Sequence, residues 1–211
     1  FGRGGHGGQP QNTVDPVVIA ARTVLALQTI VSRENNPLDP AVITVGAIHG
    51  GTKYNIIPDE VRLQLTVRSY KPEVRKRLLA SIERVAKGEA LAGGAPREPL
   101  VKVTPTANSM YNDPMLTKRL VAALGRVLGP ANVVEVEPKT VFEDFAEFNL
   151  AGIPSADFWV GAVNPDKFAA AQRAGTPLPP LHSSEWAPDY PHALKTAITV
   201  ETAELLELLE H

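Results

Sequence analysis

The first 107 residues contain four segments that predict β-strands. The clearest is residues 60–69, where every second residue from Val61 to Val67 is apolar and the residues between them are polar. This two-residue period places the apolar side chains on one face, as in a half-buried strand. The other predicted strands are residues 1–8, 41–48 and 99–105.

Two predicted helices separate these strands. The first begins at Asp15-Pro16, because aspartate caps a helix N-terminus well and proline fits the first turn, and it ends before Asn35-Asn36-Pro37. The second begins at Pro72 and has apolar residues at helical spacing: Val74, Leu78, Ile82 and Val85. The order of elements predicts a ferredoxin-like βαββαβ domain over residues 1–107, with both helices on one face of an antiparallel sheet.

A second unit is predicted over residues 108–211, beginning with a helix from Asp113-Pro114 to Gly129-Pro130. Thr140 and Glu143 have the spacing of a capping box, which predicts a helix that continues through Leu150. The other predicted elements are a short strand at 132–136, a buried strand at 156–160, a proline-rich loop at 164–180 and a last helix at 191–210. The unit has too few strands to close a sheet alone. We therefore expect an α/β fold that forms the C-terminal part of a larger domain into which the first unit is inserted.

Charge and composition narrow the classes of function. The chain has 21 Lys and Arg against 23 Asp and Glu, a formal charge of −2, which gives no electrostatic case for nucleic acid or an anionic membrane. No stretch predicts a membrane span. The chain has no cysteine, which excludes disulfides and thiol catalysis in this segment but does not decide the compartment. A cytoplasmic protein is expected, with secretion left open.

Residues 50–59, Gly-Gly-Thr-Lys-Tyr-Asn-Ile-Ile-Pro-Asp, predict a tight turn in front of the strand at 60–69. The two glycines free the backbone, and Pro58 prevents a continuing ladder of hydrogen bonds. Asn55 would present its side-chain amide on this turn, where it could donate to an oxyanion or carboxylate and accept from an amine. Asn55 could equally serve only to shape the turn, so both interpretations stay open.

Four motifs occur in one order at long spacings: residues 2–10 (Gly-Arg-Gly-Gly-His-Gly-Gly-Gln-Pro), the Asn55 turn, Glu143-Asp144-Phe145 and Leu181-His182-Ser183. Together they resemble the aminoacylase/carboxypeptidase family of two-metal peptidases, in the branch of amidohydrolases similar to hippurate hydrolase and indole-acetyl-amino-acid hydrolase. The resemblance covers nearly the whole chain, but only the C-terminal half of a family member. It implies an inserted lid or dimerisation domain followed by the end of an α/β metallopeptidase catalytic domain.

The resemblance implies a role for four residues. His182 would ligate one of two divalent metal ions, with zinc expected and manganese or cobalt as alternatives. His6 would reach across a homodimer to the partner's active site and hold the carbonyl oxygen of the scissile amide. Asn55 would contact the substrate near its carboxylate, and the guanidinium of Arg68 suits the same group. From the residues alone, His6 could lie in a flexible tail, His182 could be structural or exposed, and Arg68 could lie on a solvated strand face.

The implied activity is metal-dependent hydrolysis of the amide bond of N-acyl amino acids or small peptides by the complete protein. This chain would supply one metal ligand and no glutamate that can be named as the base, so the segment alone is expected to be inactive. Glu143 and Asp144 are adjacent and point in different directions, which leaves them at most a supporting role beside a metal ligand. The alternative is a non-catalytic dimerisation or small-ligand-binding module, since an exposed edge strand readily pairs across a two-fold axis.

Overall fold

The computed structural model describes residues 1–104, 108–140 and 143–210. They form two compact units. The first comprises Phe1–Ser109 together with residues 138–140, 143 and 144, and the second comprises Met110–Glu137 together with the residues from Phe145 onward. Strands and helices are mixed along the chain, so the predicted α/β class is confirmed.

The first unit is built on a long antiparallel hairpin, β2 (Ala41–Gly50) with β4 (Val61–Ser69), which confirms the predicted strands at 41–48 and 60–69. Its register runs from Ala41 opposite Ser69 to Gly50 opposite Val61, with an irregularity between Val45 and Ala47. Such an extra residue bends the bulged strand and increases the local twist.

Two helices cover this hairpin, as predicted. Helix α1 (Pro16–Thr29) continues into a π-helical turn, Ile30–Glu34, and α2 spans Pro72–Ala92. Their apolar faces meet the strands in one buried cluster: Leu27, Ile30, Ile43, Val74, Leu78 and Ile82. Complete burial of side chains of this size stabilises a fold by about 1.5–3 kcal/mol each, so this cluster holds the unit together.

A second, very short sheet pairs β1 (Gly5–His6) with β3 (Ile56–Ile57). The strand predicted at 99–105 is wrong over residues 99–104, which have no strand structure, and Pro105 lies outside the described residues. A strand needs a hydrogen-bonded neighbour to be stable, and these residues are paired in neither of the two described sheets. The βαββαβ pattern therefore lacks its last strand in the described part of the chain.

The second unit centres on α3 (Pro114–Leu128) packed against α6 (Tyr190–Leu209), with Leu120, Ala123, Leu124 and Val200 buried. Asp113 caps α3 by accepting a hydrogen bond from the Leu116 amide over 2.8 Å, as the sequence predicts. Two shorter helices, α4 (Ala146–Leu150) and α5 (Pro165–Ala174), complete the helical content, apart from 3₁₀ turns at Pro10–Asn12 in the first unit and Pro130–Asn132 in the second.

Several predictions for this unit are wrong. Residues 132–136 and 156–160 do not form strands, and Trp159 is 54% exposed rather than buried. The backbone N–H and carbonyl of Asp157 hydrogen-bond the side-chain amide of Asn112 and not a neighbouring strand. The loop predicted at 164–180 contains α5. The helix predicted to start at the Thr140 capping box begins instead at Ala146. The Thr140 carbonyl accepts a hydrogen bond from Arg68. Val141 and Phe142 lie outside the described residues.

One described helical stretch, Pro16–Glu34, is long and apolar enough to cross a membrane by length and composition, with a mean hydropathy of 1.2. Core helices of globular domains pass the same test. Here 33% of the stretch is buried, and Leu27 and Ile30, each 1% exposed, lie in the buried cluster of the first unit.

Candidate functional site

His6 and Asn55 lie side by side at the short sheet of the first unit. His6 pairs with Ile56 across β1 and β3, and the next backbone amide, that of Gly7, donates to the Asn55 carbonyl oxygen over 2.8 Å. Both side chains are exposed. The structure therefore brings together two of the predicted site residues that are far apart in the sequence.

Glycine is needed where β1 approaches β3. A Cβ atom added to Gly4 would lie 2.7 Å from the Ile57 carbonyl oxygen, and one added to Gly7 would lie 2.9 Å from that of Asn55. The Gly4 amide also donates to Oδ1 of Asp59 over 2.8 Å. The glycine-rich start of the chain is thus an ordered segment packed against the Asn55 turn, not a flexible tail.

Asn55 occupies the turn expected for it. The Ile56 amide donates to the Lys53 carbonyl over 3.4 Å, which closes a turn with Tyr54 and Asn55 at its two central positions. Two open hollows of about 490 and 440 Å³ flank the segment: His49, Asp59, Glu60 and Arg62 help to line the first, and Gly7, Lys53 and Tyr54 the second. Solvent and small molecules have access to both sides of the turn.

Arg68 is half-buried on β4, opposite Val42. Its Nη1 donates to the Thr140 carbonyl oxygen over 3.0 Å, a contact between residues 72 positions apart. This guanidinium therefore does not lie on a simple solvated face. It holds the stretch just before Glu143 and Asp144, both of which are exposed.

His182, in the second unit, has a left-handed backbone with φ of 68°. The Ser183 amide donates to the Pro180 carbonyl over 3.1 Å, so His182 occupies the third position of a tight turn, where glycine or asparagine is usual. A bulky residue in this conformation costs on the order of 1 kcal/mol, and such strain clusters at functional sites. The conformation presents the exposed imidazole at the tip of the turn.

The described residues do not complete a metal centre around His182. No group of three or more His, Cys, Asp or Glu side chains within residues 1–104, 108–140 and 143–210 could hold an ion. His49 hydrogen-bonds Gln64 over 3.1 Å, and His192 contacts Asp189, whose pKa this hydrogen bond lowers. His211 lies outside the described residues.

Helices α3 and α6 carry a charge arrangement that sequence analysis did not identify. Arg119 and Arg126 both bind Glu207, and the hydrogen bond from Arg119 is the main cause that lowers the pKa of this carboxyl group. One turn earlier, Glu204 is 9% exposed and its Oε1 has no hydrogen-bond partner, so burial raises its pKa. The spacing of seven residues between the arginines was the available signal, but the sequence does not show which helix faces them.

Comparison with known proteins identifies the class. Residues 1–94 match the peptidase dimerisation domain of the M20 family. The first unit thus contains a peptidase dimerisation domain of the M20 type, which agrees with the resemblance that the motifs carry.

The relatives are named as a deacetylase, a carboxypeptidase and an amino-acid hydrolase. N-acetyldiaminopimelate deacetylase of Anoxybacillus flavithermus is 35% identical over 78% of this chain and 43% of its own length. Thermostable carboxypeptidase 1 of Saccharolobus solfataricus is 33% identical over 89% and 44%. IAA-amino acid hydrolase ILR1-like 4 of Arabidopsis thaliana is 32% identical over 98% and 46%. The chain spans about half the length of the curated relatives it matches.

Solved structures agree on the fold. An aminohydrolase from methicillin-resistant Staphylococcus aureus superimposes with a TM-score of 0.65 at 27% identity, over 98% of this chain and 48% of that one. The YXEP protein of Bacillus subtilis, described as a dinuclear metal binding peptidase of the M20 family, gives a TM-score of 0.64 at 22% identity, over 99% and 48%.

Proposed function

We propose that the complete protein is a metal-dependent amidohydrolase that cleaves the amide bond of N-acyl amino acids or small peptides. The observation that carries this proposal is the β1–β3 pairing, which brings the backbones of His6 and Asn55 together at a turn flanked by open hollows, in a chain whose relatives are named as deacetylases, carboxypeptidases and amino-acid hydrolases. An imidazole N–H donor and a side-chain amide both suit an amide substrate, whose carbonyl oxygen gains negative charge during attack.

His6 and Asn55 would act as one group. The 2.8 Å hydrogen bond from Gly7 to Asn55 and the close glycine contacts couple their backbones, so both residues would come from the same protomer. We propose that they act on the active site of the partner subunit in a homodimer formed through the dimerisation domain. Arg68 would bind the substrate carboxylate in the closed enzyme, after exchanging or sharing its contact with Thr140.

His182 is the residue of this chain proposed to ligate a metal. Neutral imidazole is a common ligand for zinc, and manganese or cobalt would suit a site with carboxylates as well. One imidazole does not hold two metal ions, so the remaining ligands of a two-metal centre would have to come from residues beyond this chain. When bound, such ions supply Lewis acidity and an activated water.

The direct test is hydrolysis of N-acetyl and N-benzoyl amino acids by the complete protein after incubation with zinc, manganese or cobalt. Release of the free amino acid is measured by chromatography, with a chelated sample as control. We expect metal-dependent release from the complete protein and none from residues 1–211 alone. Activity that survives chelation, or activity of the 211-residue chain, would contradict the proposal.

Complementation tests the arrangement across the dimer. The complete His6→Ala and His182→Ala variants should each be inactive as homodimers. When their subunits are mixed and exchanged, half the dimers are mixed, and one of the two sites in each has both histidines, so about one quarter of the wild-type rate should return. If His6 acts within its own subunit, mixing restores nothing. A folded, fully active His182→Ala protein would instead favour a non-catalytic role for this chain.

A further inference from the structure

The ring of His6 is oriented by a backbone amide two residues further along. The Gly8 N–H donates to Nδ1 of His6 over 2.9 Å. The Gln9 N–H donates to the His6 carbonyl oxygen over 2.8 Å, so the main chain and the side chain of His6 both bind the same short turn. This double attachment holds the imidazole against the turn.

We infer that the Gly8 amide fixes His6 in the neutral tautomer that carries its proton on Nε2. A ring nitrogen that accepts a hydrogen bond keeps its lone pair, and a neutral imidazole then carries its single proton on the other nitrogen. Gly8 is the positioning residue, and Nε2 of His6 is the donating atom. The acceptor of the Nε2 proton, which is the oxygen of the scissile amide, is the one part of this inference that rests on the proposed function. The tautomer itself can be measured without any enzymatic activity.

Glycine at position 8 leaves room for the ring at this distance. A Cβ atom added to Gly8 would lie 3.1 Å from Nδ1 and 3.2 Å from Cε1 of His6, tighter than ordinary van der Waals contact. An alanine would keep the N–H donor but shift the ring by a few tenths of an ångström, whereas a proline would remove the donor. Comparing Gly8→Ala with Gly8→Pro therefore distinguishes the effect of the hydrogen bond from the effect of close packing.

This arrangement assigns His6 one chemical role. With Nδ1 occupied by an N–H donor and Nε2 protonated, the neutral ring has no free lone pair, so it serves neither as a general base nor as a metal ligand in this state. It can stabilise an oxygen that gains negative charge, as an oxyanion-hole donor does. Proton transfer during hydrolysis would therefore fall to another residue.

Nuclear magnetic resonance on the 211-residue chain labelled with 15N-histidine tests the inference. Long-range proton–nitrogen correlations report which ring nitrogen carries the proton, and His6→Gln identifies the His6 signals among the five histidines. We expect Nε2–H alone in the unaltered chain and in Gly8→Ala, and a measurable Nδ1–H population in Gly8→Pro. An Nδ1–H ring in the unaltered chain, or identical tautomers in all three chains, would overturn it.

Exchange of the Gly8 amide with solvent gives a second measurement, should Gly8→Pro fail to fold. His6→Asn keeps an acceptor oxygen in place of Nδ1, so exchange should stay slow, whereas His6→Phe removes the acceptor and should accelerate it. Equal exchange in the two variants refutes the contact. In the complete enzyme, His6→Asn lacks the Nε2 donor, and kcat should fall about 100- to 1,000-fold. Unchanged kcat with the tautomer as inferred would refute the oxyanion role proposed for His6 and leave the tautomer standing.

Discussion

Replacing Gly7 with alanine should separate His6 from Asn55 and destabilise the first unit. The new Cβ would lie 2.9 Å from the carbonyl oxygen and 3.1 Å from the carbonyl carbon of Asn55. Optimal carbon contacts are about 3.5–4.0 Å, so the two segments must move apart. The same movement lengthens the 2.8 Å hydrogen bond from the Gly7 amide to this oxygen.

The size of the destabilisation by Gly7→Ala follows from the contacts that are lost or crowded. Losing the hydrogen bond costs about 1 kcal/mol, and a crowded methyl group costs about 1–3 kcal/mol. Opening of residues 2–8 limits the total, because at least five backbone amides then lose their partners: Gly2 and Gly4 on Asp59, Arg3 on Val14, Val14 on Arg3, and Gly7 on Asn55. At about 1 kcal/mol each, that limit is about 5 kcal/mol, so the expected loss of about 2–3 kcal/mol lies below it.

Urea unfolding and amide hydrogen exchange of the 211-residue chain measure this effect. Gly7→Ala should lower the free energy of unfolding and accelerate exchange at residues 5–7 and 56–57. Gly88→Ala is the matched control: no atom lies within 4 Å of its added Cβ, and it sits inside α2, so it should stabilise by about 0.5–1 kcal/mol. If Gly7→Ala matches the unaltered chain in both measurements, or Gly88→Ala is equally destabilised, the close-contact argument is refuted.

Four further predictions concern the helices and the His182 turn. Glu204→Gln should raise the free energy of unfolding by about 1–3 kcal/mol near pH 8. Burial raises the pKa of Glu204 in the folded chain, so the unaltered chain loses stability as the pH rises through that pKa. Urea unfolding from pH 4 to 8 should show that the gain in the variant disappears in acid. Glu207→Gln should show the opposite pH dependence: the variant should be less stable than the unaltered chain at neutral pH, and this difference should fade as the pH falls through the lowered pKa of Glu207. His182→Gly should be more stable than His182→Ala by about 1 kcal/mol in thermal unfolding, because φ is 68° there, and equal stability would remove the argument from strain. Leu78→Ala, at a 1% exposed position, should cost about 2–5 kcal/mol, whereas Leu91→Ala, 83% exposed on the same helix, should change stability by less than about 0.5 kcal/mol.

Elements with strong local signals were predictable from the sequence. Helix α3 begins after Asp113 because a side-chain cap and an N1 proline need only neighbouring residues. Strand β4 follows from its two-residue period because one face meets the core of its own unit. In these cases local preference and tertiary packing agree.

Helix α5 had equally good local signals and was still missed. Asn164 accepts hydrogen bonds from the amides of Asp166 and Lys167, Pro165 fills the first turn, and Gly175 ends the helix with φ of 63°. The prolines that follow, at 177, 179 and 180, led to the prediction of a loop across the whole segment. Proline content therefore obscured a helix whose two caps were readable.

Predictions failed where structure depends on a distant partner. Residues 99–104 and 156–160 have apolar sequences typical of strands, but a strand forms only against another backbone. At the Thr140 capping box too, the structure shows a distant contact, because the Thr140 carbonyl accepts from Arg68, 72 residues away. No periodicity within one segment reports such a contact.

At the candidate site, too, the sequence identifies the residues, whereas only the structure shows how they are arranged. The motifs nominate His6 and Asn55 separately, and the many glycines around His6 indicate a close approach without naming what approaches. The structure supplies the missing relation, since Gly7 contacts Asn55 and Gly8 contacts the His6 ring. Adjacent glycines therefore make separate contacts: Gly7 binds the backbone of Asn55, and Gly8 donates to Nδ1 of the His6 ring. Gly7→Ala should accordingly change the spacing of His6 and Asn55 without changing the tautomer of His6, whereas Gly8→Pro should change the tautomer.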